Sequence, residues 1–186
     1  MEEDRRVTSR WRMVVALAVV ALVAAGCSVP RDGWVGIGRV ADGRLWVYLR
    51  TCHHLLDGAS LYWPDDPNGA NSNNELFTDW SITAPVRGLK VAWPLLGPVV
   101  NGVVPTTPLE SVPAKPKNMA IYGWTEDSSF SADGPYEFDA DDLDALKPGQ
   151  VLIANDLGPS DTSDMPPNKV VTLAQFNALD CAQFDN

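Results

Sequence analysis

Residues 35–186 read as a mainly β domain, a β-sandwich or a small barrel, and three observations predict it. Apolar and aromatic runs of five to eight residues recur along the chain, most of them bounded by Gly, Pro, Asn or Asp. The chain carries 14 glycines and 15 prolines, a supply of turn formers that suits many short strands. Helical patterning beyond the N-terminal stretch is confined to residues 139–146 and 173–179.

The N-terminal stretch has a different character. Arg5, Arg6, Arg10 and Arg12 form a basic start, which holds the N-terminus on the cytoplasmic side as the following segment enters a bilayer. The apolar run from Met13 to Ala25 would span only about 20 Å as a helix, well short of the roughly 30 Å hydrocarbon core. It reads as a signal helix over residues 1–26. At its end Val23-Ala24-Ala25-Gly26-Cys27 resembles the lipobox of bacterial lipoproteins, with Ala24 standing where leucine is commonest. The resemblance implies cleavage before Cys27, a diacylglycerol on its sulfur, and retention on the outer face of the cytoplasmic membrane. Two acyl chains, at about 0.8 kcal/mol per buried CH₂, anchor stably where one would not. An ordinary signal peptide and an uncleaved signal anchor are the alternatives. Residues 27–34 are then a short lipidated tether, and residues 35–186 the extracytoplasmic domain.

The whole chain has 24 acids and 14 bases; residues 1–26 hold three of the acids and four arginines, which leaves 21 acids against 10 bases after cleavage. So acidic a body disfavours nucleic acid and anionic lipid surfaces, both of which need a basic partner. With Cys27 taken by lipid, Cys52 and Cys181 remain in a compartment where disulfides persist, and the expectation is that they pair. Two free thiols or a metal pair are the alternative.

In chain order, 35–40 and 45–50 flank Asp42-Gly43, which predicts a hairpin with a type I′ turn. In the second strand Leu45, Val47 and Leu49 face one side, and Trp46, Tyr48 and Arg50 the other. Further strands are expected at 59–63, 76–83, 88–93 and 118–124, and one or two within 130–138. The stretches 65–74 and 156–168 read as polar loops. Five prolines between 97 and 117 predict a long extended connection. Asp139 to Leu146 suits one or two helical turns with acids at the N-terminal end, stopped by Pro148-Gly149, a pair fitted to a type II turn into a strand at 150–154. After Val170-Val171, Thr172 and Gln175 match a capping box for a short C-terminal helix, with Cys181 just beyond.

An immunoglobulin-like sandwich is the first choice of architecture, although the separation of Cys52 and Cys181 does not match the conserved bridge of that fold and Trp63 does not restore the match. The pattern D-G-R-L-W-V-Y-L-R-x-C early and F-N-A-L-D-C late resembles small exported lipoproteins of actinobacteria, a resemblance that implies location and fold more than activity.

Chemistry-bearing patterns are few. In Cys52-His53-His54, neighbouring histidines in a strand would point to opposite faces, and no third histidine exists to complete a metal site. Asp139, Asp141, Asp142 and Asp144 fail the calcium-loop pattern, which wants glycine at the sixth position and glutamate at the twelfth, where Asp144 and Gln150 stand. No nucleophile elbow, phosphate loop, zinc-protease motif or dinucleotide fingerprint is present, so neither a cofactor nor a metal is expected. Trp46, Tyr48 and Tyr62 are the candidate ligand-binding aromatics, with core packing as the competing use of such side chains. The expectation is a non-enzymatic binding module with an envelope protein or glycan as partner; the alternative is a cell-envelope hydrolase or carbohydrate-active protein.

Overall fold

The computed structural model describes residues 29–64, 75–83, 87–97, 102–113, 118–155 and 168–184. Cys27 and the whole signal-like stretch lie outside these residues, as do nearly all of the two expected polar loops. Among the described residues, no helix is long and apolar enough to cross a membrane.

Among the described residues ten strands run in chain order: β1 (Arg31–Arg39), β2 (Leu45–Thr51), β3 (Gly58–Trp63), β4 (Glu75–Ile82), β5 (Lys90–Pro94), β6 (Val103–Pro105), β7 (Ala120–Trp124), β8 (Ser131–Asp133), β9 (Gln150–Ala154) and β10 (Asn168–Thr172). They are joined by α1 (Ala140–Ala145) and α2 (Leu173–Asn177), and a 3₁₀ turn follows at Ala182–Phe184. All ten strands belong to one sheet. The two facing sheets of an immunoglobulin-like sandwich have no counterpart among the described residues; the sheet instead curls nearly into a barrel along the path β5-β2-β1-β8-β7-β3-β4-β6.

Burial explains the curl. Val35 and Ile37 of β1, Leu45, Val47 and Leu49 of β2, Leu61 of β3 and Ile121 of β7 share one interior cluster, so each strand turns its apolar face inward. The alternation expected in β2 is the one observed. At the two ends of the path β5 and β6 are not paired, yet Trp93 of β5 meets Trp80 of β4 across the interior with ring centroids 5.8 Å apart. The proline-rich connection supplies β6, a three-residue edge strand ending at Pro105, where a missing N–H does least harm.

The sheet forks at β1. Its N-terminal half pairs with β8 in parallel and its C-terminal half with β9 antiparallel, so β9 and β10 leave the barrel as a flap. A second, smaller core of Trp34, Val151, Ile153 and Phe176 fills the space between this flap and the outer face of β1. Glycine makes the close approach possible. A Cβ on Gly36 would lie 2.5 Å from Val151 Cγ1, and one on Gly38 would lie 2.6 Å from the Gln150 carbonyl oxygen.

The local signals mostly hold, with two corrections. The β1–β2 hairpin closes with Gly43 N–H donating to the Val40 carbonyl (3.0 Å) and Val40 N–H to the Arg44 carbonyl (2.9 Å), and only Gly43 has positive φ, at 86°. That is a three-residue loop with a bulge glycine, not the expected type I′ turn, because Asp42 stays out of the left-handed region. The folded region also opens earlier than residue 35: β1 starts at Arg31, inside the segment read as tether, and Asp32 and Trp34 are buried. Pro148-Gly149 forms the expected turn, with Gly149 at φ 81° and Gln150 N–H donating to the Lys147 carbonyl. Asp139 caps α1, with Asp142 closing a capping box, and Thr172 and Gln175 form the box predicted for α2.

Candidate functional site

Beyond Thr51, the last residue of β2, the chain bends over the start of β1, and Asp32 organises that bend. The Asp32 carbonyl accepts from Cys52 N–H at 2.9 Å, and its carboxylate takes over where the ladder ends. Oδ2 accepts from His53 N–H at 3.0 Å and His54 N–H at 2.5 Å; Oδ1 meets His53 Nδ1 at 2.8 Å, and Oδ2 meets His54 Nδ1 at 3.1 Å. Asp32 is 2 % exposed, whereas the two imidazoles are 44 % and 46 % exposed. Burial pushes the Asp32 carboxyl upward, but the backbone N–H of His54, the side chain and backbone of His53 and the side chain of His54 together hold it below the usual aspartate value.

The two histidines therefore do not point to opposite faces. They sit in a bend and not in a strand, and one buried carboxylate draws both rings back to it. The ionised carboxylate fixes Nδ1 as the protonated nitrogen of each neutral ring and turns Nε2 into the acceptor. Their ring centroids are 6.3 Å apart, and His54 stacks on Phe130 at 3.5 Å with an 11° interplanar angle. Among the described residues no group of three His, Cys, Asp or Glu side chains is arranged to hold a metal ion.

Around this cluster lies an open cleft of about 650 Å³, walled by His53, His54, Asp57, Arg87, Glu126 and Phe130. Asp57 stands just before β3 and pairs with Arg87 at 2.5 Å, while its other oxygen accepts from Glu126 N–H at 2.9 Å. The arginine charge is thereby spent within the cleft wall, and Glu126 and Asp127 give the rim a negative sign.

No protein-family model matches the chain, and no curated protein and no solved structure matches it either. Function has to be argued from the site alone.

The disulfide expected between Cys52 and Cys181 is present, with Cα atoms 5.6 Å apart. It fastens the C-terminal 3₁₀ turn beside the histidine bend. Arg50 adds to the same junction by donating to the carbonyls of Asn177 and Leu179, the latter at 2.7 Å.

The three aromatics singled out from the sequence do not form one surface. Trp46 and Tyr48 lie on β2; Tyr48 meets Phe176 of α2 with centroids 6.1 Å apart, and the Trp46 indole N–H is buried without a partner among the described residues. Tyr62 lies on β3, four strands away along the sheet path, and packs edge-on against Tyr122 at 5.6 Å. Burial, with Tyr136 and Tyr122 adding, pushes the Tyr62 hydroxyl up to about 12. Strand alternation correctly turned Trp46 and Tyr48 away from the inward face of β2, and the sheet order separates Tyr62 from them. Asp32 was missed altogether, since its partners lie 21 and 22 residues further on and no local pattern links them.

Proposed function

We propose that this chain is an extracytoplasmic lipoprotein, anchored to the outer face of the cytoplasmic membrane through Cys27, whose β-rich body is a non-enzymatic binding module for an envelope protein or glycan. The observation that carries the reading is the Cys52–Cys181 bridge. It belongs with an oxidising compartment and leaves Cys27 as the one remaining cysteine of the sequence, at the end of the lipobox-like stretch. Strand β1 begins four residues after Cys27, so an anchor there holds the body against the bilayer. The net negative charge keeps that body from lying down on anionic lipid. Mass spectrometry of the chain purified from membranes should return a mature N-terminus at Cys27 carrying acyl groups, and Cys27→Ala should move the protein into the soluble fraction. An intact Met1, or an unmodified Cys27, would defeat the anchor.

One observation favours the second reading, a hydrolase acting in the cleft. The Asp32–His54 pair has the form of a general-base dyad, a buried carboxylate orienting an imidazole whose Nε2 faces outward. In that case turnover of nitrophenyl esters or glycosides should fall at least about 100-fold in His54→Ala. Turnover that survives the substitution, or none in the unaltered chain, would dismiss it.

A further inference from the structure

On the outer side of the barrel, next to the histidine cleft, strands β4, β3, β7 and β8 form the floor of a groove of about 760 Å³. The register sets its chemistry. Ser60 of β3 stands directly opposite Asp79 of β4 on one side and Tyr122 of β7 on the other, so a carboxylate, a hydroxyl and a phenol make one row across three strands. The next row places Trp124 of β7 opposite Gly58 of β3 and Ser131 of β8. Gly58 is the reason the indole can lie where it does: a Cβ there would come within 2.4 Å of Trp124 Cζ2 and 2.7 Å of Cη2. The six-membered edge of Trp124 therefore rests on the β3 backbone, and its remaining surface lines the groove.

The side-chain polar groups at the two ends of the Asp79–Ser60–Tyr122 row make no hydrogen bond among the described residues. Tyr122 is 41 % exposed, a high value for a large ring in a sheet, and Tyr62 supports it edge-on from the neighbouring strand. The Asp79 carboxylate has no hydrogen-bond or ion-pair partner among the described residues, although the residue is half-buried and the groove is lined by it. Ser60, between them, is 4 % exposed. Aromatic surfaces alone would suit an acyl chain or an apolar peptide, but a carboxyl group beside a hydroxyl at the same floor would be left unpaired by either.

We propose that this groove binds a neutral saccharide, the C–H face of a pyranose ring stacking on Trp124 and Tyr122 while its hydroxyls donate to Asp79 and exchange a hydrogen bond with Ser60. The C–H face of a sugar is apolar and its rim is all hydroxyl donors and acceptors, which is the pairing of surfaces this groove offers. Asp79 and Glu126 on the lining exclude an anionic sugar. The inference deepens the binding-module reading by naming a ligand class and a place on the domain, and moves that place from the Trp46 and Tyr48 face to the Tyr122 and Trp124 face. The sugar could reach the groove free or as the headgroup of a lipid, because Val29, near the anchor, lines the groove too.

The test is titration of the full chain, in a detergent that is not a glycoside, with maltohexaose, cellohexaose, mannohexaose and chitohexaose, read by tryptophan fluorescence and calorimetry. Phosphatidylcholine vesicles with and without a digalactosyl lipid separate the two sources. At least one sugar should bind saturably, and Trp124→Ala should weaken it at least about tenfold. Asp79→Asn should weaken it about fivefold with an unchanged melting temperature, and Tyr122→Ala about fivefold with the fold retained by circular dichroism. Vesicle binding that requires the digalactosyl lipid would assign the headgroup as the source. No saturable binding to any probe, affinity unchanged in Tyr122→Ala and Asp79→Asn, or equal binding to plain vesicles would overturn the proposal. Failure here with an acylated Cys27 leaves the anchor reading standing, and saccharide binding by a chain that keeps Met1 leaves this one standing.

Discussion

Replacing both cysteines of the bridge, Cys52→Ser with Cys181→Ser, should lower the unfolding free energy by about 5 kcal/mol, the largest effect expected of any change in the molecule. The bridge spans a sequence separation of 129 residues, so in the chain-entropy account it removes most of the freedom of the unfolded domain. Against a typical total of about 5–15 kcal/mol, that loss is a large share of the stability. It should also be uneven in space. The barrel interior, with Val47, Leu61, Trp80 and Trp93, makes no use of the bridge, whereas α2 and the 3₁₀ turn are held to the outer face of β1 by the second core and by Arg50. Trp34 meets Phe184 at 4.9 Å in that second core. The cysteine-free variant should therefore lose protection of residues 173–184 from hydrogen exchange before the barrel opens. Urea unfolding of the unaltered chain with and without reductant gives the energetic check, and coincident midpoints would contradict it.

Wherever the determinant is local, the sequence shows it. The alternation of Leu45, Val47 and Leu49 with Trp46 and Tyr48 is a property of one strand, and it predicts their inward and outward placement correctly. The Thr172/Gln175 box is a property of four residues, and Gln175 N–H donates to Thr172 Oγ1 at 3.1 Å as expected. The bridge is expected from the cysteine count together with the compartment that the lipobox resemblance implies. Sheet order did not follow, because β1 takes three partners from different parts of the chain, one of them the short parallel strand β8. Trp124 on Gly58 and Asp32 under His53 and His54 are pairings of the same kind. Each joins residues with no periodicity in common, so Gly58 falls outside the strand expected at 59–63 and Asp32 inside the segment read as tether until the fold brings their partners to them.

Asp32 carries the second large effect. Asp32→Ala should cost about 2–4 kcal/mol, because the part-buried backbone N–H groups of His53 and His54 both lose their acceptor, each at about 1–2 kcal/mol. Asp32→Asn should cost less. Its one oxygen can stay over the two N–H groups, and His53 can answer the new amide by shifting its proton to Nε2. What the asparagine removes is the charge, and this makes it the probe of pH dependence. The folded-state value of Asp32 lies below its unfolded value near 3.8, burial raising it and the histidine hydrogen bonds outweighing that rise. Stability contributed by the ionised carboxylate is thus fully present above the unfolded value and is lost as the pH falls through the lower, folded one. Below about pH 4 the difference in melting temperature between the unaltered chain and Asp32→Asn should shrink. A difference that grows below about pH 4 would mean that Asp32 is protonated more readily folded than unfolded. Burial would then outweigh the four donors, and the bend that carries both histidines would be held by a neutral acid and not by a charge.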